Sequence, residues 1–120
     1  VTIAVDFDGV IHAYSKGWAD GTIYDPPIPG AIEGLQQLMV EHAVFIHTSR
    51  AARPVAEWLA EHGITACVEE GIAAPLEFWN DRSQVLVTNR KLPAVAYLDD
   101  RAVRFTSWTA ALHDLLPNPA

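Results

Sequence analysis

The chain predicts an α/β fold built on a mainly parallel sheet of about five strands. Short apolar runs rich in β-branched residues recur along it, segments with apolar residues at helical spacing separate them, and glycine or proline punctuates the joins. Strands alternating with helices imply βαβ units and hence parallel pairing. Their crossovers are right-handed.

Val1 to Val5 carries β-branched residues at 1, 2, 3 and 5 and reads as a buried strand. Residues 12 to 28 hold Gly17, Gly21, Pro26 and Pro27 and read as a flap. Within it, Trp18 to Tyr24 is expected to form a hairpin, with Asp20-Gly21 supplying the positive φ of a tight turn. Pro29-Gly30 precedes a helix whose apolar face is Ile32, Leu35, Leu38 and Met39. Ala43 to His47 is the second strand. Pro54 suits the first turn of the next helix, because its missing N–H is unpaired there anyway. Val55, Trp58 and Leu59 form that helix's buried stripe, and Gly63 is a good residue to end it.

Ile64 to Val68 reads as a third strand. Residues 69 to 83 are ambiguous, with a short helix expected around Leu76 to Trp79. Gln84 to Thr88 and Ala94 to Leu98 are strands, and Val103 to Thr106 is a last short one. Trp108, Leu112, Leu115 and Leu116 mark a final helix that Pro117 ends. Trp58, Trp79 and Trp108 read as core. With 120 residues and neither repeat nor linker, the whole chain 1–120 is expected to be one domain.

Half of the residues are hydrophobic, which excludes a disordered chain. No apolar run is long enough for a membrane span, and no basic leader precedes an apolar run at Val1. The single cysteine, Cys67, allows no internal disulfide and fits a reducing, cytoplasmic setting. It reads as a small buried hydrophobe rather than a reactive thiol. A net charge of −7 disfavours a broad nucleic-acid surface. Arg50, Arg53, Arg82, Arg90, Lys91, Arg101 and Arg104 nevertheless lie after or between strands, where they suit a small anion. Each one alone reads as ordinary solvated loop charge.

Ligands of open α/β sheets bind at the carboxyl ends of the strands. Asp6 and Asp8 follow the first strand, and Thr48, Ser49 and Arg50 follow the second. Lys91 lies between the strands at 84–88 and 94–98, and Asp99-Asp100 follows the latter. Four carboxylates at one edge repel, and a hard divalent cation such as Mg²⁺ relieves that repulsion. For either acid pair alone, a turn cap is an equally good reading. That reading weakens when both pairs end neighbouring strands.

Val5-Asp6-Phe7-Asp8-Gly9-Val10-Ile11 resembles the first motif of the haloacid dehalogenase (HAD) superfamily. Phe45 to Arg50 resembles its second motif, Lys91 fits the third, and Tyr97-Leu98-Asp99-Asp100 resembles the fourth. The order is right across nearly the whole chain. Val10 departs from the threonine common at that position. The resemblance implies a three-layer, Rossmann-like fold and a Mg²⁺-dependent phosphatase. Asp6 would be the nucleophile that forms an aspartyl phosphate, and Asp8 the general acid and base. Thr48 and Lys91 would complete the catalytic set, with Gly9, Ser49 and Arg50 binding substrate. Asp6, the Asp8 carbonyl and Asp99 would hold the metal, with Asp100 binding it directly or through water. Asp8 separates phosphatases and phosphomutases from the dehalogenases and transport ATPases of the superfamily, which lack it. Neither the flap nor the stretch from 69 to 90 has room for a substantial cap domain, so an open, capless site is expected.

Thr88-Asn89 imitates the second motif, though Thr48 fits the chain order better. His12 and His47 lie near motif residues, but a lone histidine is more often a packed or surface residue. Trp18 and Tyr24 suit either a cover over the site or core packing. Arg50 and Arg101 are candidates for a second phosphate or for orienting acids. Two rival functions stand beside the phosphatase. One is a binding module that holds phosphate and Mg²⁺ without turnover. The other is a polynucleotide or nucleotide end-processing phosphatase. The substrate and the oligomeric state are not written in the sequence.

Overall fold

A computed structural model describes residues 1–18, 20–69 and 75–117. It is an α/β structure with β1 (Thr2–Asp6), α1 (Ala31–Glu41), β2 (Ala43–His47), α2 (Ala52–Glu61), β3 (Ala66–Val68), β4 (Val85–Thr88), β5 (Ala96–Leu98) and α3 (Trp108–Leu115). The strands form one sheet in the order β3-β4-β2-β1-β5. Every pairing is parallel, as expected of βαβ units.

Alternation along the strands sends side chains to two faces. On one face Val5, Val44, Ile46, Val85 and Val87 pack with Leu35 of α1 and with Val55, Trp58 and Leu59 of α2. On the other, Ala4, Phe45 and Leu86 pack against Trp79 and Leu92, which lie outside any helix or strand. The first face is therefore covered by two helices and the second by irregular chain. β2 and β4 are buried, β1 is buried at Ala4 and Val5 and partly buried elsewhere, and β5 is an exposed edge strand.

The end of α2 follows its sequence signals closely. Gly63 takes φ 90°. Its N–H donates to Ala60 and that of Ile64 to Leu59, at 3.1 and 3.0 Å, which satisfies two of the last carbonyls. Ser107 caps α3 by accepting the Ala110 N–H at 3.1 Å.

Four expectations are corrected. Trp18 to Tyr24 forms no strand ladder among the described residues, and Ala19 lies outside them. Its turn is held locally instead, by Asp20 Oδ1 accepting the Thr22 N–H at 3.0 Å. Leu76 to Trp79 is not helical; its chain is tied across the sheet instead, where the Trp79 carbonyl accepts the Thr2 hydroxyl at 2.6 Å. Residues 70–74 of that ambiguous stretch lie outside the described residues. Val103 to Thr106 is not a strand: it pairs with no described strand, and β5 remains the edge of the sheet. Trp108 is not core, being 71 % exposed, and Leu112, Leu115 and Leu116 are exposed with it. The helix signal there was right. Its apolar residues simply lie on no other described element.

Candidate active site

The strand order decides which loops meet. β1 lies between β2 and β5, so the residues after these three strands converge. Val5 pairs with Leu98 and Asp6 with His47. One step further in the same register, Asp99 comes level with Asp6. Thr48, Ser49 and Arg50 follow directly on the other side.

The turn after β1 is tight. The Phe7 carbonyl accepts N–H groups from Ile11 and His12 at 2.9 and 3.0 Å, and the Gly9 N–H donates to the His12 carbonyl at 2.7 Å. Phe7 is fully buried under this turn, and Asp6 and Asp8, two positions apart, line the same cleft. Gly9 takes φ 86°, a conformation that L side chains rarely adopt. A Cβ there would also stand 2.1 Å from Asp100 Oδ2, so the absent side chain is what lets that carboxylate approach the turn.

The cleft has a volume of about 160 Å³ and is lined by Asp6, Asp8, Tyr14, Thr48, Ser49, Asp100 and Arg101. A larger groove of about 410 Å³ lies between α1 and Leu98, but its lining is mostly apolar and lacks an acid cluster. The smaller cleft is the one that gathers reactive groups. Carboxylate oxygens of Asp6, Asp99 and Asp100 all lie within 4.8 Å of one another. Asp6 Oδ1 accepts the Phe7 N–H at 2.9 Å. Burial is the largest influence on the Asp6 carboxyl and raises its pKa above 3.8. The Phe7 N–H works against this, and the charges of Asp99, Asp100 and Asp8 add to it. Oxygen ligands crowded in this way suit a hard divalent cation, whose charge would reverse the repulsion.

Asp8 is held from two sides. Its Oδ1 lies 2.8 Å from His12 Nδ1, and its Oδ2 accepts from Arg50 Nε at 2.8 Å. Arg50 is thus no solvated loop charge. It is 4 % exposed, and its Nη1 donates to the Gly21 carbonyl at 2.8 Å. A charge this deep persists only when paired.

The other expected residues lie at the edge of this centre or away from it. The Lys91 ammonium lies over the Tyr97 ring, 5.1 Å from its centroid. His47 ends β2 but does not line the cleft. Arg101 lines the mouth with its side chain 80 % exposed, 4.0 Å from Asp100 Oδ2. Trp18 and Tyr24 belong to the flap. Trp18 lies on Arg50, and the Tyr24 hydroxyl donates to the Gly17 carbonyl at 2.7 Å. Arg90 is paired with Glu69 at 2.8 Å, and Arg82 donates to the Val40 carbonyl beyond the opposite end of β4. Arg82 and Arg90 therefore do not share one basic patch.

Two residues escaped the sequence reading. Asn89 donates from Nδ2 to the carbonyls of Thr48 and Arg50, at 2.6 and 2.7 Å, and so fixes the loop after β2. The Thr88-Asn89 imitation of the second motif reflects this neighbour strand, whose Arg90 N–H meets Thr88 Oγ1 as the Arg50 N–H meets Thr48 Oγ1. Tyr14 lines the cleft with φ 58°, a conformation that only a structure reveals. Neither a protein-family model, nor a curated protein, nor a solved structure matches this chain.

Proposed function

We propose that this protein is a Mg²⁺-dependent phosphatase of the HAD type, with a three-layer Rossmann-like arrangement and an open, capless site. One observation carries the reading. Asp6 and Asp8, the Thr48-Ser49 loop and the Asp99-Asp100 pair follow adjacent strands and meet in one small acidic cleft.

In this reading Asp6, Asp99 and Asp100 would hold the cation, with the Asp8 carbonyl as a further ligand, and the ion would supply positive charge to offset that of the phosphoryl oxygens. Thr48 and the Ser49 N–H bind those oxygens, and positioning of this kind supplies most of phosphoryl-transfer catalysis. An Asp6 oxygen attacks phosphorus as the ester P–O bond breaks. Asp8 gives its proton to the departing oxygen, which leaves as an alcohol. Asp8, now a carboxylate, takes a proton from the water that attacks the aspartyl phosphate. The bond from phosphorus to Asp6 breaks, inorganic phosphate leaves, and both acids return to their starting forms. Lys91 joins only if its side chain swings from Tyr97 toward Asp6.

The test is turnover of 4-nitrophenyl phosphate with Mg²⁺. The parent should hydrolyse it, and Asp6→Asn should lose the activity. Equal activity in the variant would remove Asp6 as nucleophile. Mg²⁺ binding without turnover of any phosphate ester would leave a binding module. No specific observation favours end-processing of nucleic acids.

A further inference from the structure

Both groups that hold Asp8 are themselves anchored by the flap. His12 Nε2 accepts the Asp25 backbone N–H at 3.0 Å. That nitrogen therefore carries no proton, and the ring's proton is on Nδ1, donated to Asp8 Oδ1. His12 is fully buried, stacked on Phe7 and edge-on to Tyr24. Arg50 donates through Nε to Asp8 and through Nη1 to the Gly21 carbonyl. Its guanidinium carbon also lies 5.6 Å from the Tyr14 ring centroid and 5.1 Å from that of Trp18. Asp25, Gly21, Tyr14 and Trp18 all belong to the segment between β1 and α1.

We infer that His12 and Arg50 are positioning residues for Asp8, and that the flap sets the aim of that carboxyl through them. The inference rests on the phosphatase reading, in which Asp8 moves the proton. Each Asp8 oxygen has a fixed donor, so the carboxyl cannot rotate without breaking a hydrogen bond. Fixing it matters because a misplacement of about 1 Å costs roughly 100-fold in rate. The rival reading is that the three side chains form a structural tie between flap and sheet, with no bearing on proton transfer.

Leaving groups separate the two. A 4-nitrophenolate leaves without a proton, whereas an alkoxide needs one. A misaimed Asp8 therefore harms alkyl phosphates selectively, and general damage to the cleft harms both esters alike. The experiment compares kcat/KM for 4-nitrophenyl phosphate and for an alkyl phosphate monoester in the parent, Arg50→Gln and His12→Phe. Both variants should lower the alkyl ester's value about tenfold or more relative to the aryl ester's, in the same direction as Asp8→Asn. Arg50→Lys, which keeps a cation near Asp8 without the fork to Gly21, should recover part of the ratio. Trp18→Ala removes a 61 % exposed side chain and so should fold. It should shift the ratio severalfold in the same direction, and it decides the matter if the buried substitutions unfold the protein. An unchanged ratio in the folded variants overturns the positioning role while the phosphatase reading stands. A parent without Asp6-dependent turnover of either ester overturns both.

Discussion

Asp6→Asn should stabilise the protein when no divalent cation is present. The Asp6 carboxyl is raised above its unfolded value of 3.8, first by burial and then by the nearby carboxylates, against the opposing Phe7 N–H. A carboxyl raised on folding contributes stability that is fully present below the unfolded value. That stability is lost as the pH rises through the folded value. At neutral pH the ionised Asp6 is thus a cost that asparagine removes, and Asn can still accept the Phe7 N–H. The oxygens of Asp6, Asp99 and Asp100 lie within 4.8 Å of one another. Unit charges at that separation repel by about 1 kcal/mol in water and by about 3.5 kcal/mol at a surface dielectric of 20. Asp6 is half-buried, but Asp99 and Asp100 are exposed, so solvent screening favours the lower figure. Two pairs then give roughly 2 kcal/mol, or a melting point higher by about 8 °C in a domain of this size. The assay is thermal unfolding at pH 7 in low salt with a chelator. It is repeated at pH 3, where the gap should close, and in 1 M salt, where it should shrink. A variant that melts at or below the parent in chelator would refute the repulsion argument. On the proposed reading, Mg²⁺ should reverse the order by stabilising the parent alone.

Other outcomes follow from single contacts. Gly9→Ala should cost about 1–2 kcal/mol from its positive φ, measured by urea unfolding, and should displace Asp100 and weaken binding of divalent cations. Asn89→Ala should leave the Thr48 and Arg50 carbonyls without their donor and cost about 1–2 kcal/mol. The same change should reduce turnover more than an equally destabilising change in α1 does. Cys67 should react with a disulfide reagent more slowly than a free thiol at pH 8, since burial, and then the Asp81 charge, raises its pKa.

The parts of the fold that were legible in the sequence are those governed by local rules. The runs around Val5, Ile46 and Val87 are apolar because both sheet faces are covered, and such runs read directly as buried strands. Gly63 announced the end of α2 because only a residue tolerant of positive φ serves there. The errors arose where long-range partners decide. Nothing near Leu76 to Trp79 says that its chain is claimed by Thr2, and nothing in Trp108 to Leu116 says that the helix lies off the sheet. The site followed the same division. Asp6, Asp8, Thr48 and Asp99-Asp100 could be grouped from the sequence because each lies at or just beyond the end of a strand. His12 and Arg50 were noted but left open, because their meaning lies in contacts to Asp8 that the sequence does not display.

The size of the cleft bears on the substrate. About 160 Å³ is well below the roughly 300 Å³ at which pockets begin to enclose a small ligand. On the proposed reading, the cleft takes the phosphoryl group and cation, and the rest of the substrate lies outside. The groups it would meet first are Tyr14 and the exposed Arg101, which line the cleft, while Trp18 lines a neighbouring pocket with Arg50. Tyr14 and Trp18 also lie on Arg50, and Arg50 holds Asp8. A leaving group resting on these rings would press on the residues that aim the proton donor. Selectivity in such an enzyme would appear in kcat as much as in KM, because the contacts that recognise the leaving group are also those that position the acid which releases it.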